Sequence, residues 1–204
     1  MVFRKLLHIP AFCSAAVVVW RADSWQVASL TLVLFAVIIY PVLHLLQKWK
    51  GYAHLFAQKE PGEVKKSLMI LFLTDAALVA VCWGIFDLPY IAVTAILMWG
   101  TGDGTAALVG NRFGKHHVVL KFADPKKTWE GSLGMVVVSV IVGIAAMMIQ
   151  TTIAWYHCLI IAGVTAVFGA YTELVSHHGN DTANVPVVNS AVMLILHFIL
   201  RASL

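Results

Sequence analysis

Residues 25–46, WQVASLTLVLFAVIIYPVLHLL, run without a single Lys, Arg, Asp or Glu. So long an apolar stretch reads as a helix crossing a bilayer, whose hydrocarbon core takes roughly 20 residues at about 1.5 Å each. Working outward, similar runs cover about 6–20, 67–86, 88–101, 132–149, 153–175 and 185–200. The composition agrees, with 60% hydrophobic and 12% charged residues where a soluble domain has roughly 25% charged. The expected fold is an all-α, polytopic transmembrane bundle of about seven spans, some short or broken, in a single integral-membrane domain over residues 1–204.

The first, fourth and seventh runs are short. Their ends beside Gly and Asp suggest helices that stop inside the protein, where irregular backbone is tolerated if it lines a polar cavity. The first run follows Arg4 and Lys5 and lacks a small-residue cleavage pattern before Arg21, so it is expected to stay as a short first span. Cys13, Cys82 and Cys158 lie inside apolar runs at wide spacing, which fits neither a disulfide framework nor a zinc site. Trp20, Trp25, Trp49, Trp83, Trp99, Trp129 and Trp155 sit near run ends, as an interfacial aromatic belt places them.

Threading the runs as alternating spans brings Arg4, Lys5 and the loops 47–66, 102–131 and 176–184 to one side. Of the fourteen Lys and Arg residues only Arg21 and Arg201 fall opposite. The positive-inside rule makes the basic side cytoplasmic, at the plasma membrane if the source is prokaryotic. Asp103, Glu130, Glu173 and Asp181 then lie near that face, within reach of a cytoplasmic nucleotide. Lys48, Lys50, Lys59, Lys65 and Lys66 read first as topology-setting charge near lipid headgroups.

The chemistry concentrates in residues 100–131, where a carboxylate, several glycines and five cations separate two apolar runs. Gly102, Gly104, Gly110 and Gly114 allow backbone amides to approach an anion, and Arg112, Lys115, Lys126 and Lys127 supply charge. Asp103, closing the fourth run, is costly at that depth unless paired or metal-bound, and is the natural Mg²⁺ ligand. Asp124 and Pro125 form a turn, after which Lys126, Lys127 and Thr128 precede a helix start whose free N–H groups can hold an anion. Glu130 there is either a helix-start carboxylate favouring the macrodipole or a catalytic group. A second polar interruption holds Glu173, His177, His178, Asn180, Asp181 and Asn184. Asp181 is a candidate for a second Mg²⁺, Asn180 or Asn184 for orienting a phosphate or hydroxyl, and the adjacent histidines for solvated loop residues. His8 is either an interface residue or a catalyst. Asp75, inside the third run, is an intramembrane carboxylate that Thr74 could satisfy.

The segment Gly102-Asp103-Gly104 to Gly110-Asn111-Arg112-Phe113-Gly114-Lys115, followed by Lys127-Thr128-Trp129-Glu130-Gly131-Ser132, resembles the signature of the phytol kinase, dolichol kinase and yeast-type diacylglycerol kinase group. Arg4-Lys5-Leu6-Leu7-His8 is similar to that group's N-terminal Arg-Lys-x-x-His, and Gly62 to Ser67 adds agreement before the third run. Phosphatidate cytidylyltransferases, related to this group, share the central motif. Their Pro-Gly-His-Gly-Gly pattern is met here only by His178-Gly179, whereas Asn180 to Pro186 is closer to the kinases' Asp-Asn-Leu-Thr-Val-Pro, departing at Asn180 and Thr182.

The resemblance implies a kinase that transfers a phosphoryl group from a nucleoside triphosphate, CTP by family, to a lipid alcohol such as phytol, a polyprenol or dolichol, or diacylglycerol. Mg²⁺ would sit on Asp103 and Asp181, with Gly102, Gly104, Gly110, Arg112, Gly114, Lys115, Lys126, Lys127, Thr128 and Asn184 toward the nucleotide phosphates. Glu130 or His8 would assist the acceptor hydroxyl. The alternative is cytidylyl transfer to phosphatidate. A small transporter or a non-catalytic scaffold fits less well, because no internal repeat is evident and the polar residues gather at one face. The expected partners are nucleotide, lipid alcohol and bilayer, with no nucleic acid. The lipid, the base and the oligomeric state stay open.

Overall fold

A computed structural model describes residues 2–48, 63–119, 123, 125, 127–176 and 180–202, the side chains of 2–8, 63 and 201–202 excepted. Seven α-helices run through these residues: α1 Val2–Arg21, α2 Trp25–Leu46, α3 Glu63–Val79, α4 Pro89–Phe113, α5 Trp129–Gln150, α6 Trp155–Val175 and α7 Asp181–Ala202. No strand pairs with another among them. Six helices are long and apolar enough to cross a membrane, and α1 contributes a shorter apolar segment, Ile9–Arg21. The chain is an integral membrane protein.

Local sequence explains the helix boundaries. Ser24 caps α2 by accepting the Val27 N–H, and Thr128 caps α5 by accepting the Gly131 N–H. After a π-helical turn over Ala80–Ile85, the chain reverses at Asp87, whose φ of 57° is a left-handed conformation that Asp tolerates. Pro89 then opens α4 at a position where a missing N–H costs nothing.

α4 is the central helix. From Tyr90 to Gly100 nearly every residue is buried, and the helix packs against α1, α5 and α7. Small residues permit this, since helices in lipid associate by close packing rather than by apolar burial. A Cβ on Gly100 would lie 2.3 Å from the Phe12 ring of α1, and one on Gly131 would lie 2.7 Å from the Ala106 carbonyl oxygen. Large apolar side chains such as Leu30, Val37, Ile141, Phe168 and Ile195 point outward, as lipid contact requires.

Three expectations about span ends are corrected. The fourth run does not end its helix near Asp103, because α4 continues to Phe113. Thr101 and Thr105 bond back to the Leu97 and Thr101 carbonyls, and α5 covers this part of α4 through Gly131 and Gly134. The loss of apolarity at residue 102 therefore does not mark the helix end. The seventh helix starts at Asp181 rather than near 185, and the first reaches back to Val2. Trp99 is 2% exposed, so it belongs to the core and not to an aromatic belt.

The up-and-down order gathers the start of α1, the end of α2, the start of α3, the end of α4, the start of α5, the end of α6 and the start of α7 at one end of the bundle. Contacts across that end include Ser67 with Thr182, 3.4 Å between hydroxyls.

Candidate active site

Three helices bring three carboxylates together. Asp103 lies within α4, Glu173 near the end of α6 and Asp181 in the first turn of α7, and one oxygen from each lies within 4.8 Å of the others. Asp103 and Glu173 are buried and Asp181 is half-buried. The start of α7 favours the negative charge of Asp181, whose Oδ1 also accepts the Thr182 N–H at 3.0 Å. The chemistry of this donor set, all carboxylate oxygen, suits a hard divalent cation such as Mg²⁺.

A cation already answers this charge. The Lys127 ammonium lies 2.6 Å from Glu173 Oε1 and also donates to the Glu173 backbone carbonyl, one of the last carbonyls of α6. The two side chains are 18% and 5% exposed, so the pair is largely screened from water. The backbone of Lys127 is held separately. Its carbonyl accepts the Val118 N–H and the Trp129 N–H bonds to His116 O, both at 3.0 Å, closing the excursion that leaves α4 and returns to α5.

The other sequence candidates divide. Thr128 caps α5, and its hydroxyl packs among Gly110, Gly114 and Gly131. Gly102 and Gly110 are helical and face α5, Gly102 against Ser139 and Met135. Close helix packing thus accounts for them directly. Gly104 differs, with no atom within 4 Å of where a Cβ would stand. Arg112 and Lys115 are exposed at the end of α4, with Arg112 over the Phe113 ring at 5.6 Å. Asn184 donates to Ser176 Oγ at 3.4 Å across the α6–α7 connection.

Glu130 stands apart from the three carboxylates. Its Oε1 lies 2.6 Å from His116 Nδ1, and both its oxygens accept the His116 backbone N–H. Lys126, His177, His178 and the side chain of His8 lie outside the described residues. Sequence reasoning gave Glu173 no ligand role and did not single out His116. For Glu173 a signal existed, since a glutamate closing an apolar run is costly without a partner. Asp75 is fully buried in α3, and among the described residues neither of its oxygens has a hydrogen-bond partner. Thr74 does not satisfy it.

Fold and site together define a polytopic membrane protein with an oxygen-rich acidic centre, lysine-paired at Glu173, at one end of the bundle. The chain belongs to the cytidylyltransferase family, whose profile matches residues 2–176. Over 107 residues it is 36% identical to a phytol kinase of Synechocystis sp., an alignment covering 52% of this chain and 44% of that protein. The match therefore spans less than half the length of that relative. No solved structure matches the chain. The motif resemblance to the lipid-alcohol kinases and their cytidylyltransferase relatives is borne out by these matches.

Proposed function

We propose that this protein is a membrane kinase that moves the terminal phosphoryl group of a nucleoside triphosphate, by family CTP, onto the hydroxyl of a lipid alcohol. The observation that carries the reading is the carboxylate cluster of Asp103, Glu173 and Asp181 beside Lys127. The similarity to a phytol kinase supports it. Phosphoryl transfer asks the protein mainly for positioning and charge neutralisation. Asp103, Glu173 and Asp181 would hold Mg²⁺, which when bound neutralises charge on the phosphate oxygens. Lys127, paired with Glu173, would meet the polyphosphate. Arg112 and Lys115 offer exposed positive charge at the end of α4. Glu130, engaged by His116, ties the residues just after α4 to the start of α5 in this reading. The active end faces the cytoplasm in this reading, because the basic residues collect there.

Cytidylyl transfer to phosphatidate is the second reading, favoured by the family match. Its acceptor is already a phosphate, so no hydroxyl proton has to be removed. Product analysis separates the two. Purified protein supplied with labelled CTP, Mg²⁺ and a panel of lipid alcohols and phosphatidate should release nucleoside diphosphate and a lipid phosphate. Release of pyrophosphate with formation of a cytidylyl lipid would overturn the kinase reading in favour of the transferase.

A further inference from the structure

Lys127 is tied to the acidic centre through Glu173. Its ammonium binds the same Glu173 carboxylate that belongs to the metal-competent cluster. A divalent ion taking Glu173 as a ligand would stand within a few ångströms of the ammonium, and two cations that close repel strongly where water is excluded. The lysine and the metal therefore compete for Glu173.

Moving the ammonium away from Glu173 needs no break in the backbone bonds that hold Lys127. Its backbone is pinned by the Val118 N–H bond and by the α5 cap at Thr128, while its charged end rides on a flexible four-carbon stem. Rotation of the side chain alone can carry the ammonium from Glu173 toward an anion at the same end of the bundle.

We infer that Lys127 is a resident counter-cation that the divalent metal displaces, and that the displaced ammonium becomes a ligand of the nucleotide phosphates. This rests on the proposed metal and nucleotide site. One side chain would then couple the two binding events: the metal releases the lysine, and the polyphosphate captures it. A nucleotide arriving without metal meets a lysine still engaged by Glu173.

The test uses the wild-type protein in detergent, with Mn²⁺ as the probe metal and CTP as the probe nucleotide. Reactivity of Lys127 toward an amine-directed reagent, read by mass spectrometry, should rise severalfold on adding Mn²⁺ and fall again on adding CTP. In parallel, Lys127→Met should bind Mn²⁺ at least ~10-fold more tightly, followed by the resonance of free Mn²⁺, yet bind CTP in the presence of Mn²⁺ at least ~10-fold more weakly. A purely structural counter-ion would cost stability without these opposed shifts. Bound Mn²⁺ with unchanged Lys127 reactivity overturns the exchange and leaves the metal site standing. Wild-type protein that binds no Mn²⁺ overturns the metal reading, and the exchange with it. Should Lys127→Met fail to fold, the labelling of wild-type protein still decides.

Discussion

Asp103 and Glu173 are both buried carboxylates, and Glu173 is also half of the Lys127 ion pair, so their substitutions should separate. Asp103→Asn keeps the size and loses the charge. The expected result is loss of Mn²⁺ binding and of turnover with the thermal midpoint nearly unchanged, and near-normal turnover across a metal titration would remove Asp103 from the site. Glu173→Gln also removes the charged half of the Lys127 ion pair while leaving the bond to the backbone carbonyl. Breaking one side of a buried ion pair costs about 3–5 kcal/mol, so this variant should unfold at a distinctly lower temperature than Asp103→Asn. Equal midpoints for the two variants would show that the Lys127–Glu173 pair contributes little to the fold.

Between α4 and α5 the glycines serve two different purposes, which a single added methyl distinguishes. A Cβ at Gly131 would press on the Ala106 carbonyl at 2.7 Å, and backbone cannot move aside as a side chain can. Gly131→Ala should therefore cost about 1–3 kcal/mol, the usual range for overpacking. Gly104 meets nothing within 4 Å and sits inside a helix, where Ala is favoured over Gly by roughly 0.5–1 kcal/mol. Gly104→Ala is thus expected to raise the thermal midpoint slightly. If it nonetheless weakens CTP binding, the open space beside Gly104 belongs to the substrate. A variant that is stabilised and binds CTP normally would assign Gly104 no role in the site.

For the whole molecule, the shared end of the seven helices makes a topological prediction. In a background lacking Cys13, Cys82 and Cys158, single cysteines at Lys66 and Lys115 should react with an impermeant reagent only from the cytoplasmic side. A cysteine at Asp23 should react only from the other side. Opposite labelling of positions 66 and 115 would contradict the bundle itself, since α3 begins and α4 ends at the same end. Labelling of both from the outside would leave the bundle intact and reverse its orientation in the membrane.

The helical membrane fold was legible in the sequence because lipid leaves the backbone no other economical choice. An apolar run of about 20 residues must satisfy its own N–H and C=O groups as a helix. Residues 25–46 and 132–149 declare this by composition alone. The polar stretch from Gly102 to Ser132 was likewise visible, and it supplies Asp103 to the carboxylate cluster and Lys127 to its ion pair. Pairing was not visible. Asp103, Glu173 and Asp181 belong to three helices, and only packing against the central α4 puts their oxygens within 4.8 Å. Nor does any local pattern distinguish a glycine that receives a phosphate from one that receives a neighbouring helix, because both need the same missing side chain. The partners of Lys127 and Glu130 were decided the same way: each side chain settled on a group that the folded chain brought near, the Glu173 carboxylate for the one and the His116 ring nitrogen and backbone N–H for the other.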